Sequence, residues 1–207
     1  MKQYRPILEW LDSQQSEMVN LIEDWANINT NTLNLAGLKK LSTKVKKAFS
    51  VFNEDVHGLA FQPFEWINFQ GQRERTSLAP GLMVIKRPEA KKQALLLIHM
   101  DTVYSPQDSF QKVEKVDDNI LKGPGVADAK GGIVVMLKAL EAIEQFPDIN
   151  EMGWMVILNT DEEIGSPGSG EFIQQMAKRC HLGYVFEPCL PDGNLIGSRK
   201  GSGNYSL

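Results

Sequence analysis

Two short stretches, "ALLLIHM" at 94–100 and "WMVILNT" at 154–160, are apolar at nearly every position and turn polar only at their carboxyl ends. A strand with one wet face alternates apolar and polar residues, and a run without alternation has no wet face. Both runs therefore read as strands buried on both sides, which demands a layer of helices above the sheet and another below it. The sequence supplies them. "DAKGGIVVMLKALEAIEQF" (128–146) repeats apolar residues every three or four positions behind an acid at its start. "GSGEFIQQMAKRC" (168–180) is a further helix, and "LGYVFEP" (182–188) a further strand before a Pro-Asp-Gly turn at 191–193. Upstream, Ile7, Leu8, Leu11, Met18, Leu21, Ile22 and Trp25 fall at the spacing of one amphipathic helix. A second helix spans roughly 35–52 with lysines on its outer face, and "LMVIK" (82–86) is another strand. Strands alternating with helices predict an α/β protein, a three-layer sandwich whose largely parallel central sheet is flanked by helices.

The 207 residues suffice for one domain with a sizeable core, and 42% apolar with 23% charged residues is an ordinary globular mixture. A formal net charge of −4 argues against a nucleic-acid partner, which would call for a basic face. No apolar run approaches the ~20 residues needed to cross a bilayer. Acids and amides interrupt the first 20 residues, so no secretory leader is read there and a cytoplasmic protein is expected. Cys180 and Cys189 then read as inert thiols, and "NYS" at 204–206 as a chance glycosylation acceptor.

In open α/β sheets the chemistry gathers at the carboxyl ends of the strands. Four polar clusters lie at such places: "HMD" at 99–101, "GPGVAD" at 123–128, "NTDEE" at 159–163 and "FEP" at 186–188. Each has a bland reading when taken alone. A lone histidine after an apolar strand is usually a core residue, Asp128 could simply cap the helix behind it, and Asp161, Glu162 and Glu163 could form a solvated turn. Together they form a set. Asp101 lies two residues after His99, so in extended chain both side chains point the same way, and the carboxylate can hold one ring nitrogen while the other meets a metal. The glycine-rich loop matches neither a phosphate loop nor a dinucleotide loop, and an acid at the helix start would repel phosphate while welcoming a cation.

His99, Asp128, Glu163 and Glu187, with Asp101 and Glu162 beside them, suit zinc, with cobalt or manganese as alternatives. Two zinc ions carry four positive charges, which three ligand carboxylates and a bridging hydroxide would balance. A two-metal site thus lets neighbouring acids coexist.

"HMDTVY", "GPGVADAKGG", "NTDEEIGSPGS" and "FEP", in this order, resemble the di-zinc peptidases and deacylases grouped with glutamate carboxypeptidase, acetylornithine deacetylase, succinyl-diaminopimelate desuccinylase and aminoacylase. The resemblance covers roughly 60–207. "HMDTVY", "FEP" and "RKGSG" (199–203) are nearest to the glutamate carboxypeptidase branch. It implies that Asp128 bridges two metals, that His99 and Glu187 complete one and that Glu163 serves the other. Asp101 would orient His99, Glu162 would act as general base, and a cis peptide would join Asp128 to Ala129. The implied reaction is metal-assisted hydrolysis of an amide in a small peptide or N-acyl amino acid, releasing an amino acid such as a C-terminal glutamate. A deacylase of the same family, or a metal-binding module without turnover, is the alternative.

Two features of the resembled family lack a counterpart. It has a late histidine for the second metal, which neither His57 nor His181 matches, and a lid domain through which homodimers form. Residues 1–197 are accordingly expected to be the N-terminal portion of the catalytic domain, with its C-terminal part absent, and 198–207 the start of the lid. An exposed sheet edge is expected in consequence.

Overall fold

The computed structural model describes residues 4–68, 70–146, 151–190, 192–194, 196–198 and 200–201. Pro191 of the expected turn, and most of the expected lid segment at 198–207, lie outside the described residues. The helices are α1 (Arg5–Ser13), α2 (Gln15–Ala26), α3 (Leu35–Phe49), α4 (Lys130–Ile143) and α5 (Gly170–Ala177). The strands are β1 (His57–Leu59), β2 (Phe64–Ile67), β3 (Arg73–Thr76), β4 (Gly81–Lys86), β5 (Lys92–His99), β6 (Glu114–Lys115), β7 (Leu121–Lys122), β8 (Met152–Asn159) and β9 (Leu182–Val185).

Five strands form the central sheet in the order β1-β4-β8-β5-β9. β8, β5 and β9 run parallel, whereas β4 and β1 are antiparallel additions on one side. The sheet is therefore parallel where the buried apolar runs lie and mixed beyond them. β5 crosses through α4 to β8, and β8 then crosses back over β5 through α5 to β9. Crossovers between parallel strands are nearly always right-handed, so reversing the direction of travel moves the second helix to the opposite face. The core shows this division. Leu96, Ile98, Val156 and Leu158 pack with α2, α3 and α4, while Leu95, Met155 and Ile157 pack with Phe172, Ile173 and Met176 of α5.

The single amphipathic helix expected over 7–28 is two helices meeting at Gln14. The Ser13 hydroxyl donates back to the Trp10 carbonyl at 2.6 Å, and the Gln14 amide to Leu11 at 2.9 Å, which tightens the turn where the two helices join. α3 ends at Phe49 and continues as one 3-10 turn to Phe52; Asn34 caps its start by accepting from the Gly37 amide at 3.0 Å. The β2–β3 and β6–β7 hairpins have no counterpart in the sequence reading. Among the described residues no helix is long and apolar enough to cross a membrane.

Gly132, in the first turn of α4, marks the tightest joint between this helix and the sheet. A Cβ there would lie 2.1 Å from the Phe186 carbonyl oxygen, a main-chain atom that cannot yield without moving the end of β9. Gly132→Ala is expected to destabilise the fold by about 1–3 kcal/mol and to displace Glu187, weakening metal uptake as well. Denaturant melts and a metal titration of the variant check both, and an unchanged melt would show that β9 shifts freely.

Candidate metal centre

Parallel register brings the carboxyl ends of β5, β8 and β9 to one edge of the sheet, and α4 starts there too. His99 closes β5 and is buried. Its Nδ1 lies 3.0 Å from the main-chain oxygen of Asp101 and 3.3 Å from the carboxylate Oδ1 of the same residue. The sequence reading foresaw the carboxylate contact; the main-chain carbonyl is the shorter of the two. With Nδ1 held, Nε2 is the nitrogen presented to the cleft, 3.0 Å from Asp128 Oδ1 and 3.4 Å from Glu187 Oε1.

Asp128 does not cap α4. The helix is preceded by Ala129, which makes no side-chain cap, and the Asp128 carboxylate faces His99 instead. The Asp128–Ala129 peptide is cis. The loop before it turns through Gly125 at φ +78°, a conformation that suits glycine.

The three consecutive acids after β8 divide their tasks. Asp161 is fully buried and accepts from the Gly168 amide at 2.8 Å, the Ser169 amide at 3.0 Å and Asn159 Nδ2 at 3.2 Å, as well as from the Ser169 hydroxyl. It organises the loop leading into α5. Glu162 and Glu163 open a 3-10 turn whose amides donate to Asp101, at 3.3 Å to Oδ1 and 3.2 Å to Oδ2. The buried Asp101 carboxylate also accepts from the Thr32 hydroxyl at 2.7 Å, a partner that sequence reasoning missed. Its only sequence signal is a short Asn/Thr-rich loop, "NTNT" at 29–32.

His99, Asp128 and Glu163 each offer one donor atom, and these atoms lie within 4.8 Å of one another. This grouping joins Glu163 directly to His99, where the resemblance implies that it serves a second ion. An imidazole nitrogen and two carboxylate oxygens are a fitting donor set for a zinc-like divalent cation. The electrostatics agree with that fit. Burial pushes Glu163 up to about 7, opposed by the charge of His99 and reinforced by Asp128, Asp101 and Glu162. Burial alone would lower His99, but bonds to Asp101 and Glu187 outweigh it and hold the ring up at about 11. In the metal-free protein, protons on His99 and Glu163 thus offset part of the cluster's negative charge.

This fixes a pH dependence for the metal-free protein. Glu163 rises from 4.5 to about 7 on folding, so its ionisation removes stability as pH climbs through that range. His99 rises from 6.5 to about 11, and its contribution, complete below 6.5, is also lost with increasing pH. Melting temperatures measured in chelator should fall from pH 5 to 8. A divalent ion binds the deprotonated donors, so its stabilising increment should grow over the same range. A chelated protein that melts higher at pH 8 than at pH 5 contradicts the assignment.

The sequence pattern of peptidase family M20/M25/M40 matches residues 95–201. Carboxypeptidase G2 of Pseudomonas sp. (strain RS-16) is 40% identical over 98 residues, which is 47% of this chain and 23% of that protein. Human carnosine dipeptidase 1 superposes with a TM-score of 0.70 at 16% identity, over 88% of this chain and 40% of that one. An M20 family metallo-carboxypeptidase from Sulfolobus solfataricus gives 0.62 at 15% identity, over 86% and 39%. The two structures share the fold, and the chain spans less than half the length of each of these three relatives.

Proposed function

Since the chain belongs to peptidase family M20/M25/M40, we propose that it carries the metal site of a hydrolase that cuts an amide bond to release a terminal amino acid. The observation that carries this reading is the meeting of His99, Asp128 and Glu163 donor atoms within 4.8 Å at the carboxyl edge of the sheet. Glutamate is the amino acid proposed, from the likeness of "HMDTVY", "FEP" and "RKGSG" to the glutamate carboxypeptidase branch, and a 40% identical relative is itself named a carboxypeptidase. Zinc is the proposed ion, two in the intact enzyme, and His99, Asp128, Glu163 and Glu187 are the residues of this chain that would hold it.

When bound, such ions polarise the scissile carbonyl and lower the pKa of water. Glu162 takes the proton from the attacking water and hands it to the leaving amine. Its position suits this role. The main chain of Glu162 is held by Asp101, while its side chain lines a cleft of about 330 Å³ together with His99, Asn159 and Glu187. Burial raises its pKa above the usual carboxylate value, opposed by His99 and helped by Glu187, Asp101 and Asp128, which brings its basicity nearer to neutrality.

The test is release of glutamate from peptides ending in glutamate and from N-acyl-glutamates, with zinc added and with chelator. Zinc-dependent release supports the proposal, and preference for the N-acyl series would shift it to a deacylase. Metal uptake with no turnover on either series would support a non-catalytic module instead.

A further inference from the structure

The loop at 28–32 lies far from the four motifs in sequence, yet it is fastened beside the site at several points. The buried Lys130 amino group donates to the Ile28 carbonyl at 2.7 Å. Asn29 Nδ2 reaches the Tyr104 carbonyl at 3.0 Å and Gln111 Oε1 at 2.9 Å. The Thr102 amide donates to the Thr30 carbonyl at 2.9 Å, and Asn31 bridges Thr102 in parallel register. These bonds fix Thr32, 3% exposed, with its hydroxyl 2.7 Å from Asp101 Oδ2.

Asp101 is where the strands that carry the donors meet. Its carboxylate sits 3.3 Å from His99 Nδ1 at the end of β5, and accepts the Glu162 and Glu163 amides after β8. Two of its donors are main-chain groups at 3.2 Å or more, whereas the Thr32 hydroxyl is the shortest bond it makes. A buried carboxylate that loses its shortest donor keeps an unmet acceptor and is no longer held in one orientation, which loosens its other bonds. The ring partner and the acid-bearing turn would then move together.

We propose that Thr32 is a positioning residue for the metal centre, its hydroxyl fixing the Asp101 carboxylate in the orientation that aims His99 Nε2 and pins the Glu162–Glu163 turn. Thr32 stands outside the family-matching stretch of 95–201, so the helical layer at the N-terminus takes part in forming the site. The inference rests on the metal-site reading above, and one of its two readouts is independent of metal.

The experiment compares Thr32→Val, which keeps the shape and removes the hydroxyl, with Thr32→Ser, which keeps the hydroxyl. Zinc affinity, read by chelator competition, should fall by up to about tenfold in Thr32→Val, the low end of the loss when a direct partner of a metal ligand is removed, because Thr32 acts through Asp101, and should recover in Thr32→Ser. In chelator, the Glu162 and Glu163 amides of Thr32→Val should exchange hydrogen about tenfold faster, again with recovery in serine. Unchanged amide exchange in Thr32→Val overturns the proposal, whatever the metal does. Equal losses in the valine and serine variants also overturn it, because the methyl group and not the hydroxyl would then matter. If the unaltered protein takes up no zinc, the metal reading fails, and the exchange data alone decide whether Thr32 positions the turn.

Discussion

Glu162→Gln is expected to lower turnover about a thousandfold, within the range contributed by a general base, while zinc uptake stays at its original level. The substitution keeps the shape of the side chain and removes its ability to take a proton. Glu162 is outside the donor group of His99, Asp128 and Glu163, so the site should still assemble. Its bond to Asp101 runs through the main-chain amide, which the substitution leaves intact. The readouts are glutamate release under the conditions proposed above and zinc affinity by chelator competition. Retention of most of the activity would move the base to another group. Loss of zinc together with activity would instead make Glu162 a ligand.

Glu144→Ala is expected to destabilise the fold by about 3 kcal/mol or more, the cost of breaking a buried ion pair. The Glu144 carboxylate forms a two-pronged bond with Arg87, Oε2 to Nη1 at 2.9 Å and Oε1 to Nη2 at 2.5 Å, and also accepts from the Trp154 indole at 2.8 Å. Arg87 Nε donates to the Met152 carbonyl at 2.8 Å, so one ion pair links the end of α4 to β4 and β8. The pair is only 13% and 19% exposed. Burial would raise the Glu144 carboxyl, but Arg87 and Trp154 outweigh it and bring it below the usual value. Removing the carboxylate strands a guanidinium and an indole N–H together. Denaturant midpoints check the loss, and Glu144→Gln, which can still accept from the indole, should lose less. Because Met152 opens β8 while the site lies past its other end, zinc affinity should change little. A loss below about 1 kcal/mol would place the pair among solvated surface bridges.

β5 and β8 were legible because they are buried on both faces, and only continuous apolar runs meet that demand. β4 was legible for the same reason. The β2–β3 hairpin was not, since "FEWI" and "RERT" lie largely exposed and carry no burial pattern. The break at Gln14 was hidden because the apolar spacing continues across it, and the tightened turn there rests on local bonds of Ser13 and Gln14 that no spacing shows. Within the site, the meeting of His99, Asp128 and Glu163 could be read from acids placed after strands. The share of Asp161 could not, since sequence shows a third acid without showing the amides it meets. Thr32 left still less trace. A hydroxyl 69 positions from its partner has no spacing rule to betray it.

The inner seating of β5 and β8 bears on how long the site holds together. β8 is paired with β5 along its whole length and with β4 over Trp154–Leu158, so it opens only when the domain does. β5 is likewise paired on both sides, with β8 and β9. His99, which closes β5, and Glu162 and Glu163, which follow β8, are therefore carried by the two inner strands, and their mutual placement should outlast any opening short of the whole domain.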